Sequence, residues 1–251
     1  MAALELEARK LRRQYDQMKS LTPTICLFAA ALLWTGCTTA QVQAVRHTAT
    51  HIEPKEAIAI VFSRDFSLDG RPIDEKEIVT CISDEMRKAH PSLRIVLPNE
   101  FRHTAFPDLA PEAAPNTPES LALLLDHAAF RDRIASLRIR YLVSVQGRTD
   151  SKYDGGVECG GGPGGAACIG LLSWDRKSNL TASILDLKQV RAAGELKVLA
   201  SGRPWFFFVF PSPLMIGAPA FTESKACGEL GQALGKFLAG ERPAEPEEGQ
   251  K

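Results

Sequence analysis

The 251-residue sequence has no surplus of positive charge: Lys plus Arg and Asp plus Glu number 30 each. Nucleic-acid binders neutralise phosphates with a basic excess, so neither DNA nor RNA is expected as a partner. Histidine is scarce. None of His47, His51, His90, His103 or His127 falls in a metal or nucleophile spacing such as His-Glu-x-x-His, and no Gly-x-Ser-x-Gly is present. His127 beside Asp126 reads as a solvated helix pair rather than a dyad. The glycine-rich run from Gly155 to Gly165 lacks the Gly-Lys and Ser or Thr of a phosphate loop, and Ala166-Ala167-Cys168-Ile169 leads from it into a strand. It is expected to be a flexible hairpin loop. No catalytic residue, cofactor or metal is expected on these grounds; a hydrolase whose nucleophile and base converge only in space is the remaining catalytic alternative.

What is present fits a globular chain with one core and flexible ends: 45% hydrophobic and 24% charged residues. Near the N-terminus, Lys19 precedes an apolar run from Leu21 to Trp34, then Thr35-Gly36-Cys37. A basic residue, a short apolar run and a small-residue cleavage site make up a secretory signal. The uncharged stretch 20–36 is at the short limit for crossing a hydrocarbon core of about 30 Å. Cleavage before Cys37 is therefore expected, with an uncleaved membrane anchor as the alternative. Residues 1–17 form a charged segment unlike a signal, and Met18-Lys19-Ser20 begins one normally. Translation from Met18, with 1–17 a mis-assigned extension, is the expectation; a peptide spanning Leu6 to Tyr15 in cells would refute it.

Leu33-Trp34-Thr35-Gly36-Cys37 resembles the lipobox of bacterial lipoproteins, departing from it at Trp34, where that family usually has an aliphatic residue. The resemblance implies that the chain is cut after Gly36, that Cys37 is acylated through its sulfur, and that Cys37 becomes the new N-terminus. Thr38 after the cysteine implies sorting to the outer membrane. Loss of residues 1–36 would remove five basic and three acidic residues, leaving a slightly acidic mature chain.

With Cys26 in the signal and Cys37 lipidated, four of the six cysteines remain. An even number in an oxidising compartment points to pairing. Cys159 and Cys168 share one glycine-rich loop, whose closure would contribute roughly 3 kcal/mol. Cys81 and Cys227 follow by elimination. Each lies on an apolar helical stripe, Ile78, Cys81, Ile82 and Met86 in one and Cys227, Leu230, Leu234 and Phe237 in the other. Two free buried thiols are the alternative for that pair.

Between the signal and the core, residues 37–56 are polar and read as a lipidated tether. A single α/β domain is expected over 57–240, followed by a disordered Glu-rich tail at 241–251. Ala57 to Phe62 has the continuous apolar character of a strand buried on both faces. A helix over Ile73–Ala89, a strand at Leu93–Leu97, a helix over Glu119–Leu137 and a strand at Tyr141–Val145 complete a βαβαβ half, which favours a parallel sheet. The Pro- and Ala-rich stretch 98–118, with Phe101, Phe106 and Leu109, reads as a surface excursion. Strands at 166–174, 179–187 and 195–200 predict an antiparallel meander, closed by a helix over Thr222–Leu238. The predicted fold is thus α/β with a mixed sheet.

This order, with Ala57 to Phe62 and Arg140 to Gly147, resembles the periplasmic domains of the TolB N-terminal, LpoB and curli-secretion lipoprotein group over about residues 57–238. The resemblance implies binding or assembly of envelope partners, protein or glycan, rather than catalysis. The most unusual stretch of the mature chain runs from Trp205 through Phe206, Phe207, Phe208, Phe210, Leu214, Met215 and Ile216 to Phe221. Its four prolines, counting Pro204, rule out a spanning helix. It is expected to be a core strand with a buried loop. If exposed, it marks a partner or membrane contact, or the part of an oligomeric pore or secretion assembly that enters a bilayer.

Overall fold

The computed structural model describes residues 38–63, 71–72, 74–110, 113–162, 165–210 and 215–241. The expected extension, signal peptide, cleavage at Gly36 and Cys37, Leu214 and nearly all of the tail lie outside the described residues. The chain is an α/β fold that divides into two compact units. The larger contains Thr38–Lys152, Asp175–Gly202 and the chain from Phe221 onward; the smaller contains Tyr153–Trp174 and Arg203–Ala220.

In the larger unit, strand β2 (Ala57–Phe62) lies parallel between β4 (Arg94–Val96) and the start of β5 (Ile139–Gly162). All six residues of β2 are buried because both of its faces are covered. Side chains alternate across a strand. Ile58 and Ile60 therefore join a core with helix α1 (Glu75–Ala89) and helix α5 (Thr222–Leu238), through Ile78, Ile82, Met86, Leu230, Leu234 and Phe237. Ala57, Ala59 and Val61 face the opposite way, into a second core with helices α2 (Pro98–Ala105), α3 (Pro118–Leu124) and α4 (Ala128–Ser136).

α1 starts where the Asp74 carboxylate accepts the Glu77 N–H at 2.9 Å, and stops at His90, before Pro91. Beyond β5 the sheet continues with β6 (Gly165–Asp186), β7 (Arg191–Gly202) and β1 (Thr38–Arg46), in the order β1-β7-β6-β5-β2-β4. The β6/β7 and β7/β1 pairs are antiparallel. The two-residue strand β3 (Arg71–Pro72) pairs with β5.

Three expectations need correction. Residues 38–46 are a strand rather than a tether, paired with β7 from Thr38↔Gly202 to Arg46↔Gly194. Ala40, Val42 and Ala44 pack on the first core while Thr39, Gln41, Gln43 and Val45 face solvent. The strand is pinned at its end: the Arg46 guanidinium stacks 4.2 Å from the Phe237 ring centroid and donates to the carbonyls of Phe237 (2.8 Å) and Glu241 (2.7 Å). The stretch 98–118 is not a surface excursion, since Phe101 is fully buried in α2 and Phe106 stacks on Phe130 at 5.3 Å. The one helix expected over 119–137 is two, α3 and α4, interrupted at 125–127, and Leu121, Leu125, Phe130 and Ile134 all reach the second core.

Both expected disulfides are formed. Cys81–Cys227 ties α1 to α5 with the Cα atoms 6.1 Å apart, and Cys159–Cys168 lies in the smaller unit with the Cα atoms 4.0 Å apart.

Candidate interaction surface

The smaller unit is built from the far ends of β5 and β6 with β8 (Trp205–Phe210) and β9 (Met215–Ala218). β8 pairs antiparallel with β6, from Cys168↔Phe210 to Ser173↔Trp205, and with β9, from Trp205↔Ala218 to Phe208↔Met215. The glycine-rich run, expected as a loop, is extended strand on both arms, with only 163–164 at the turn outside the described residues. The Cys159–Cys168 bridge links the two arms.

Directly opposed residues of an antiparallel pair point to the same face. One face therefore carries Ile169 with Val209, Leu171 with Phe207, and Ile216 opposite Phe207. The other carries Leu172 with Phe206, Phe208 with Met215, and Phe210. Both faces are apolar. A Cβ added to Gly170 would lie 2.2 and 2.4 Å from two atoms of the Phe208 ring, so the bare glycine opposite Phe208 is what lets that ring lie across the sheet. The Phe206 and Phe208 ring centroids are 6.1 Å apart.

No helix belongs to this unit among the described residues, so neither face is covered from within it. The consequence is exposure. Phe210 and Met215 are 60% and 68% exposed, Ile169, Leu171 and Ile216 are also exposed, and Trp205 to Val209 are half-buried. The expectation that Trp205–Phe221 forms core does not hold. Among the described large apolar side chains of this unit, none reaches the burial of the two cores.

Charge is nearly absent. Glu158 is the only charged residue from Gly155 to Trp174, and none occurs from Pro204 to Thr222. Polar fixings gather at the ends of the two arms, where Ser173 Oγ donates to the Asp154 carbonyl at 2.6 Å, the Trp174 N–H donates to the Pro204 carbonyl at 3.0 Å, and Arg203 pairs with the Asp154 carboxylate. Tyr153 and Trp174 meet there edge to face at 6.1 Å. One face of the sheet is hollowed into an open cavity of about 1050 Å³, lined by Ile169, Leu171, Trp205 and the Cys159 bridge, with Asp154, Glu158 and Arg203 at its edge.

Sequence reasoning singled out Trp205 to Ile216 but missed Tyr153, Val157, Ile169 and Leu171, which share the exposed sheet. The available signal was the near absence of charge across 155–174. Among the described residues no group of three His, Cys, Asp or Glu side chains is placed to hold a metal, and no helix is long and apolar enough to cross a membrane, which leaves strands untouched.

No family model and no curated protein matches the sequence. Among solved structures, a PelC dodecamer from Paraburkholderia phytofirmans is 12% identical, at a TM-score of 0.37, covering 82% of this chain and 100% of that one. A point variant of the same dodecamer is 10% identical, at a TM-score of 0.36, covering 77% and 96%. Likenesses this weak carry no argument about the present chain.

Proposed function

We propose that the chain is an exported, non-catalytic lipoprotein of the bacterial envelope, anchored through Cys37, most simply in the outer membrane. Its smaller unit serves as the contact surface for an envelope partner. The observation that carries the contact role is the four-stranded sheet, apolar on both faces and uncovered within its unit. The two disulfides suit an oxidising compartment. Because Thr38, the residue after the lipobox cysteine, is already paired with Gly202 in β1, the lipid would attach directly beside the folded sheet of the larger unit.

The test is crosslinking in cells followed by purification through a C-terminal tag, comparing wild type with Phe210→Asp combined with Met215→Asp. Loss of the crosslinked species in the variant, with its helical circular dichroism unchanged, supports the contact role. An unchanged set of crosslinks rules it out.

A second function, assembly of copies into a membrane-inserted pore, is favoured by one observation. The two arms, 153–162 and 165–174, each run ten residues and end in the Tyr153–Trp174 pair. A transmembrane strand needs about 9–11 residues, with aromatic side chains at the interface. An open sheet leaves unpaired backbone groups in hydrocarbon, so insertion would require closure by further copies. A monomer in detergent at high concentration excludes it.

A further inference from the structure

We propose that the larger unit binds a small anionic amphiphile, an apolar chain ending in a carboxylate or phosphate, in the groove between α4 and the β6/β7 turn. The groove encloses about 570 Å³, within the range of small-molecule sites. Its floor is apolar, made by Leu125, Ile134, Ile139 and Leu187. Its rim is cationic, with Lys55, Arg131, Arg138 and Lys188 against the single carboxylate of Glu56.

Two of the surrounding charges are already neutralised. Lys188 pairs with Glu56 and, at 3.7 Å, with Glu53. Arg140, just beyond the rim, is paired with Asp186 at 2.7 Å. Lys55, Arg131 and Arg138 have no ion-pair partner among the described residues. Three unneutralised cations over an apolar floor complement a ligand with an anionic head and an apolar body. A neutral or cationic molecule would leave them unmatched.

The backbone supplies a second, independent observation. Only two described non-glycine residues have positive φ, Arg138 at 54° and Val190 at 49°, and both line this groove. The left-handed conformation crowds the Cβ of an ordinary residue against its own backbone, and a β-branched side chain such as Val190 is least suited to it. Asp186 holds the turn in place by accepting the N–H groups of Lys188 at 2.9 Å and Gln189 at 3.1 Å. Strain that the surroundings enforce collects where a chain shapes a binding site. Here it shapes both ends of one groove: Arg138 closes α4 and Val190 closes the turn.

Calorimetric titration of the full chain with decanoate, decyl phosphate and decanol tests the site, with Arg131→Gln combined with Arg138→Asn as the variant. Asn tolerates the left-handed backbone that Arg138 occupies, so the change removes charge without adding strain. Both anions are expected to bind about tenfold more tightly than decanol, and the variant to lose about tenfold for the anions while its decanol affinity stays the same. Single Lys55→Gln, remote in sequence from α4, is expected to weaken the anions in the same direction and guards against misfolding of the double variant. Equal affinity for decanol and decanoate, or undiminished decanoate binding in the double variant and in Lys55→Gln, overturns the proposal. Binding of decanoate confined to the apolar sheet of the smaller unit gives that second result.

Discussion

Replacing both Cys81 and Cys227 with Ala is expected to lower the stability of the larger unit by about 5 kcal/mol. The bridge closes a chain separation of 146 residues, for which the loop-entropy model gives about 17 cal/mol/K, or about 5 kcal/mol at 25 °C. The packing between α1 and α5 remains, through Ile82 and Met86 against Leu230 and Leu234, so the loss falls mainly on the unfolded chain. For Cys159–Cys168 the separation is nine residues, and the same model gives about 2.6 kcal/mol.

The assay is urea unfolding followed by far-ultraviolet circular dichroism. All described helices belong to the larger unit, so the signal of those helices reports on it. With a slope of about 2 kcal/mol per molar urea, the Cys81/Cys227 variant should move the midpoint down by about 2.5 M. The Cys159/Cys168 variant should leave the helical midpoint in place. A Cys81/Cys227 midpoint within about 0.3 M of wild type refutes the entropic argument. So does an equal shift in both variants.

Three more perturbations follow from the larger unit. Val190→Asn relieves the left-handed strain at an exposed turn and should raise stability by about 1 kcal/mol, read as a higher urea midpoint; a lower midpoint contradicts the strain argument. Asp186→Ala leaves Arg140 nearly buried without its partner and frees two turn N–H groups, so a loss of about 3–5 kcal/mol is expected in the same assay. Glu56 sets a pH dependence. Burial opposes its ionisation, but the Glu53 N–H, the Lys188 ammonium and Arg140 together hold its carboxyl below the ordinary 4.5. A depressed carboxyl adds stability that is complete above 4.5 and is lost as pH falls through the lower folded value. Glu56→Gln should therefore be less stable than wild type at neutral pH and equal to it in strong acid; a difference that persists in acid assigns the effect to packing.

How much could be read in advance depended on whether local pattern and tertiary cover agreed. β2, α1 and α5 were legible because an apolar run or stripe matched the layer that buries it, and the Cys81 and Cys227 stripes indicated which helices would face each other. β1 was missed because its inward residues are mostly Ala, which give weak contrast against Thr and Gln. α2 hid behind Pro98, which at the first helical position starts a helix instead of breaking one. The glycine-rich arms have few side chains to alternate, so their strand state comes from pairing that no local window contains. β8 shows the deeper limit: Trp205 to Phe210 and Ala57 to Phe62 are equally continuous apolar runs. Helices cover both faces of β2, whereas the unit that holds β8 has none among its described residues. A run apolar on both sides states that both faces need partners, not whether the chain itself provides them.

The proposed export and lipidation at Cys37 would tie these features to one place in the cell, and metabolic labelling with palmitate tests that step directly. Wild-type protein is expected to carry the label and to fractionate with membranes, and Cys37→Ala to lose both. Unlabelled wild-type protein, or label retained in Cys37→Ala, contradicts anchoring through this cysteine.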